Sequence, residues 1–170
     1  MTIWLVGMMG AGKSAVGPRL AARLTLPFHD TDAEIAREAD ASVAELFARE
    51  GEAGFRAREQ KVIGTLLGRR AVVALGGGAL TVPGTLEKLE ARGRLVYLRA
   101  RPETLLARVG EAAERPLLHG LDAGSRRARL GEILARRERD YARAGLVVDV
   151  DDADVEAVVE RVAARLAGPA

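Results

Sequence analysis

A chain of 170 residues with 48% hydrophobic and 29% charged residues has the balance of one globular domain, which excludes a disordered or low-complexity protein. The absence of Cys excludes disulfides and thiolate metal sites, and a net charge of only +2 gives no reason to expect a polyanion coat. One Trp and two Tyr leave no aromatic-basic stripe for stacking on bases, so nucleic acid is not expected as a partner.

In chain order, Thr2–Val6 is a short apolar run stopped by a Gly-rich turn, and it reads as a buried strand. Lys13–Leu24 follows as a helix with Val16, Leu20 and Leu24 on one face, interrupted early by Pro18. Residues 27–29 form a brief second strand ended by Asp30-Thr31-Asp32. Helices are expected over 33–37, 43–50 and about 54–67, the second opened by a capping box of Ser42 with Glu45. A third strand, 71–75, ends at Gly76-Gly77-Gly78, and a helix covers about 83–91. Strand 95–98, helix Pro102–Val109, a long polar loop over 110–125, helix 126–142, strand 146–150 and helix 155–166 complete the chain. Apolar strands without in-out alternation, separated by helices, predict an α/β fold with a five-stranded parallel sheet covered on both faces. No repeat or linker is visible, so one domain over 1–170 is expected, with a lid at about 110–125. No signal peptide or membrane-length apolar run stands in the sequence, so a cytoplasmic protein without a membrane partner is expected.

Gly7-Met8-Met9-Gly10-Ala11-Gly12-Lys13-Ser14 matches G-x-x-x-x-G-K-[ST] between a strand and a helix. Glycines let consecutive N–H groups curl toward one hollow, and the helix adds its unpaired N–H groups and positive dipole end. Lys13, one of only three lysines (13, 61 and 88) in an Arg-rich chain, supplies charge to the outer phosphates, and Ser14 a hydroxyl for Mg²⁺. Nucleoside triphosphate binding follows.

Other features are open on local grounds. Asp30 and Asp32 can hold a hydrated Mg²⁺ and accept a proton from an alcohol, or Asp32 can simply cap the helix after it. Arg56 can grip a substrate carboxylate through two parallel bonds, or pair with Glu59 as an ordinary i,i+3 ion pair. The three glycines at 76–78 imply a close approach or unusual backbone at a parallel-strand end, where such sheets bind ligands. Arg115, inside the long loop, is either a lid arginine that reaches a transferring phosphoryl group or an incidental surface cation.

Taken together and in this order, the cradle, Asp-Thr-Asp, Gly51-Glu52 before Phe55-Arg56 and Glu59, Gly-Gly-Gly, Arg115-Pro116-Leu117-Leu118 and Arg137 ahead of Tyr141 resemble the shikimate kinase family, from about Ile3 to Val150. The resemblance implies a three-layer P-loop kinase fold and ATP-dependent phosphorylation of the 3-hydroxyl of shikimate, with ATP, Mg²⁺ and shikimate as ligands and a monomer as the working unit. It implies ATP contacts from Gly10, Ala11, Gly12, Lys13, Ser14, Ala15, Arg108 (packed on adenine) and Arg115. Mg²⁺ would fall to Ser14 directly and to Asp30 through water. Asp32 would bind the ring hydroxyls and is the candidate base; Arg56 and Arg137 would clamp the carboxylate, Glu59 would orient Arg56, and Gly77 and Gly78 would wall the pocket. The catalytic set is then Lys13, Asp32 and Arg115.

Two departures bear on nucleotide affinity: Ala15 stands where the family commonly has Thr or Ser, and Pro18 lies inside the first helix. Two rivals share the cradle. A kinase of gluconate or another polyol acid would not be expected to carry Asp-Thr-Asp, the glycine triplet and both clamp arginines. A silent nucleotide-binding module would be expected to lack Lys13, Ser14 or the carboxylates.

Overall fold

A computed structural model describes residues 1–109, 117–118 and 120–168. Five strands, β1 (Thr2–Val6), β2 (Phe28–Asp30), β3 (Val72–Ala74), β4 (Gly93–Arg99) and β5 (Leu146–Asp149), form one sheet in the order β2-β3-β1-β4-β5. Every pairing is parallel, with Ile3 opposite Val72 on one side of β1 and opposite Arg94 on the other. All of β1 and β3 is buried, because helices cover both faces and leave no polar side for the strands to show. Trp4, Leu5, Val96 and Leu98 lie at the centre of the resulting core.

Among the described residues the strands are joined and followed by seven helices: α1 (Lys13–Leu24), α2 (Thr31–Ala39), α3 (Val43–Leu66), α4 (Thr85–Glu90), α5 (Pro102–Val109), α6 (Ala123–Tyr141) and α7 (Val155–Ala167). β1 and β4 are neighbours, and the chain leaves β1 toward β2 and leaves β4 toward β5, on opposite sides of the sheet. Open parallel sheets place their ligands in the crevice at the carboxyl end of such a point. The turns carrying residues 7–12, 30–32 and 76–78 all follow the carboxyl ends of β1, β2 and β3.

Local chemistry sets most boundaries. The Ser42–Glu45 capping box opens α3 in both directions, with Ser42 N donating to Glu45 Oε2 over 2.7 Å and Glu45 N to Ser42 Oγ over 3.2 Å. Asp154 caps α7 by accepting from Ala157 N. Pro18 does not stop α1; it is exposed and removes only the bond to the Ser14 carbonyl one turn back.

Most element ends fall within a few residues of the sequence expectation. The two helices expected over 43–50 and about 54–67 meet within α3 at Gly51, whose left-handed φ of 69° and ψ of −179° are not helical, so the break expected between them is present. The Glu50 carboxylate accepts both Arg58 Nε and Nη2 at 2.8 Å across that bend. The loop expected to run to residue 125 ends sooner, because Asp122 accepts from Ser125 N at 2.9 Å and starts α6 at Ala123. A short 3-10 turn, Ala79–Thr81, went unread; it follows the glycine triplet directly, and Thr81 donates to the Gly78 carbonyl through both its N–H and its hydroxyl. No described helix is long and apolar enough to cross a membrane.

Candidate active site

A cleft of about 320 Å³ opens at the carboxyl edge of the sheet, with Lys13 and Ser14 toward one end and Arg56 and Arg137 toward the other. Its phosphate end is the loop between β1 and α1. Gly7, Gly10 and Gly12 there have φ of 143°, 82° and 92°, all outside what L side chains readily adopt. A Cβ on Gly10 would also lie 2.8 Å from the Leu105 carbonyl oxygen and 2.9 Å from Val109 Cγ2, so the loop lies flush against α5. Lys13 Nζ donates to the carbonyls of Gly7 (2.7 Å) and Met8 (3.0 Å), which holds the ammonium over the hollow. Gly10, Gly12, Ser14 and Ala15 line the cleft with it. Ala11 does not: it is buried, and its N–H donates to the Met8 carbonyl at 3.1 Å.

Ser14 Oγ donates to Asp30 Oδ2 over 2.9 Å, which brings together the two oxygen ligands expected to serve Mg²⁺. This fits a hard cation that keeps most of its ligands as water and phosphate; among the described residues no group of three or more His, Cys, Asp or Glu could hold a metal. Asp30 also decides which carboxylate caps the next helix. Its Oδ1 accepts from Asp32 N (3.1 Å) and Ala33 N (3.2 Å), so the cap is Asp30, and α2 begins at Thr31. The alternative in which Asp32 is the cap therefore fails, and Asp32 lines the cleft.

Thr31, given no role by the sequence, links two motifs. Fully buried, its Oγ1 accepts the Gly76 N–H at 3.0 Å and locks Asp-Thr-Asp to the glycine turn. The signal was available in a hydroxyl between two acids, but its partner lies 45 residues away. None of the three glycines has a left-handed φ; space is what requires Gly76 and Gly78. A Cβ on Gly76 would collide with Glu59 Oε1 and Asp32 Oδ1, and one on Gly78 with the Arg56 guanidinium and with Arg137 Nη2 at 3.0 Å. Gly77 lines the cleft 3.5 Å from Arg137 Nη1, measured from the same ideal Cβ position.

Both guanidiniums are withdrawn from bulk water. Arg137 is 8% exposed, and the Arg56 side chain 11%. Arg56 lies near the rings of Phe47 and Phe55, 5.9 and 5.4 Å from their centroids. Its Nη1 donates to Glu59 Oε2 at 2.5 Å, and Glu52 lies at 3.5 Å. The i,i+3 pair expected on a wet surface is thus a buried one, with Glu59 wholly enclosed. Burial pushes the Glu59 carboxyl up to about 7, outweighing the attraction of Arg56, and the neighbouring Asp32 adds to the rise. Phe47, Phe55 and Val43, which wall this end, were not singled out from sequence as binding residues. Their helical spacing on α3 resembles that of core residues.

Arg108 lies at the margin of the cleft on α5, where its Nη2 donates to the Val150 carbonyl at 2.7 Å. Arg115 and half of the expected lid, residues 110–116 and 119, lie outside the described residues; Leu117, two residues after Arg115, lines the cleft.

A strand-end cradle for polyphosphate thus faces a pocket with two buried guanidiniums and a carboxylate, and known proteins share both the sequence and the fold. The family model described as “Shikimate kinase” matches residues 9–167. The shikimate kinase of Paramagnetospirillum magneticum is 48% identical over 162 residues, covering 95% of this chain and 82% of that one. That of Halorhodospira halophila is 45% identical, covering 98% and 93%. The solved shikimate kinase from Acinetobacter baumannii in complex with shikimate superposes with a TM-score of 0.92 at 36% identity, covering 97% of this chain and 92% of that one. With its five-stranded parallel sheet, its phosphate loop and these matches over nearly its whole length, the chain belongs to the shikimate kinase family.

Proposed function

We propose that the chain transfers the terminal phosphoryl group of ATP to the 3-hydroxyl of shikimate, giving shikimate 3-phosphate and ADP, in the cleft at the carboxyl edge of the sheet. The observation that carries this is the placement of Arg56, Arg137 and Asp32 across one cleft from the phosphate loop. Phosphoryl transfer needs little covalent help, so the work of the chain is to position two ligands in line and offset negative charge.

In this reading the loop amides and Lys13 hold the outer phosphates, and binding moves the ammonium from the Gly7 and Met8 carbonyls to phosphate oxygens. Ser14 would hold Mg²⁺ directly and Asp30 through water, and the ion would supply positive charge that offsets the phosphates. Arg56 and Arg137 clamp the ring carboxylate, Glu59 orients Arg56, and the peptides of Gly77 and Gly78 form the wall. Asp32 orients the 3-hydroxyl and takes its proton as the oxygen–phosphorus bond forms. Arg115 reaches the moving group from a lid over about 110–125, and Arg108 packs on adenine.

The proposal extends to one P-loop kinase domain over 1–170, working as a cytoplasmic monomer with ATP and shikimate as its ligands and with neither nucleic acid nor membrane as a partner. A coupled assay of ADP release tests the reaction. ADP should appear in proportion to added shikimate and not with gluconate; release with gluconate instead, or tight ATP binding with no release for any acceptor, would overturn it.

A further inference from the structure

We propose that Tyr141 is a positioning residue for the acid end of the cleft: its hydroxyl ties the Gly77 carbonyl and the Arg137 guanidinium into one arrangement, and so sets affinity for the substrate carboxylate without touching the substrate. The proposal rests on the reading of Arg137 as part of the carboxylate clamp.

Tyr141 stands one helical turn after Arg137 on α6, so both project from the same face. It is 2% exposed and is absent from the cleft lining, whereas Gly77 and Arg137 both belong to it. Its hydroxyl donates to the Gly77 carbonyl. The Arg137 guanidinium lies beside the peptide that this hydroxyl holds, with Nη1 3.5 Å from where a Cβ on Gly77 would stand, and its charge acts on the Tyr141 hydroxyl. Burial raises the hydroxyl to about 12, so it remains a donor at any pH at which the protein works.

The ring has little freedom to swing away. It stacks on Tyr97 with centroids 5.1 Å apart and planes inclined by 30°, and the Tyr97 hydroxyl is in turn anchored to Glu138 Oε2 at 2.6 Å. A trans peptide holds its C=O and N–H on opposite sides, so fixing the Gly77 carbonyl against Tyr141 also fixes the direction of the Gly78 N–H. Gly78 has no room for a side chain beside Arg56 and Arg137, so a small rotation of this peptide disturbs both guanidiniums. One buried hydroxyl thereby couples the glycine wall to the clamp.

The test compares shikimate with its methyl ester as acceptors for the wild-type enzyme, Tyr141→Phe and Tyr97→Phe. Phe keeps the ring packing, so fold loss is separated from hydroxyl loss by thermal melting. Tyr141→Phe should raise KM for shikimate about tenfold, with KM for ATP unchanged and kcat nearly so, as expected for the loss of one buried hydrogen bond. The ester has no carboxylate to clamp, so its kcat/KM should be equal in Tyr141→Phe and wild type. Tyr97→Phe removes a neighbouring hydroxyl outside this arrangement and should leave the acid-to-ester ratio intact. Equal losses for acid and ester in Tyr141→Phe, or no change in either, would overturn the positioning role alone. A wild-type enzyme indifferent to esterification would overturn the clamp, and the positioning role with it.

Discussion

The two ends of the cleft use the same residue, glycine, for opposite reasons. At the phosphate end Gly12 has open space around its missing Cβ but a φ of 92°, so the backbone conformation forbids a side chain. At the acid end Gly78 has a φ of −104°, available to any residue, yet a Cβ would strike the Arg56 guanidinium. The phosphate end needs glycine for its dihedrals even where space is open, whereas the acid end needs it for tertiary crowding alone. The first is therefore a device of a few contiguous residues, and the second exists only once α2, α3, β3 and α6 have packed.

The strongest way to break this division is to remove the chemistry from each end in turn. Lys13→Met and Asp32→Asn should each cut turnover in the ADP-release assay by at least about 10²–10³-fold, since each removes a group aimed at charge or a proton in the transition state. Calorimetry should separate them. Lys13→Met keeps shikimate binding and loses ATP, whereas Asp32→Asn keeps ATP and weakens shikimate; near-normal turnover in both would refute these roles.

The next effects come from the glycines. Gly78→Ala should raise KM for shikimate by about 10²-fold, because it displaces guanidiniums that must be placed to within about an ångström. Gly12→Ala should leave the shikimate constant alone and weaken ATP by about 5- to 30-fold, the cost of about 1–2 kcal/mol for a left-handed non-glycine residue. If both substitutions disturbed the same ligand, the two ends would not be independent.

Glu59 provides a pH readout of the acid end. Its carboxyl is raised from 4.5 to about 7 by burial, so between those values the folded chain holds a proton that the unfolded chain releases. The contribution of Glu59 to stability is therefore greatest below about 4.5, falls as pH rises toward about 7, and is lower by ~3 kcal/mol above it. Glu59→Gln removes that dependence. The variant should show a flatter melting temperature across pH 4.5–7, and should bind shikimate more weakly above about pH 7, where Arg56 loses its charged partner. Parallel melting profiles for the two proteins would contradict burial as the governing influence.

The smallest expected effect is at the phosphate end. Ala15→Thr adds a hydroxyl at the start of α1 and should tighten ATP about fivefold, the value of one ordinary hydrogen bond. Unchanged affinity would mean that the backbone donors already suffice.

Contiguous residues determined the cradle, the course of α1 through Pro18 and the capping box at Ser42, because a strand end, a run of glycines and a cap each act within one or two turns of chain. The apolar runs around Trp4, Val73 and Val96 likewise determined the parallel α/β sheet. Packing alone decided that space is what requires Gly76 and Gly78, that Arg56 and Glu59 are buried between other elements, and that Tyr141 stands behind the pocket wall. Each of these is fixed by which groups lose water beside one another, and the groups come from turns and helices separated by tens of residues. Burial converts the Arg56–Glu59 spacing into a dry, charge-coupled pocket, and no local pattern encodes how much water remains once the elements have packed.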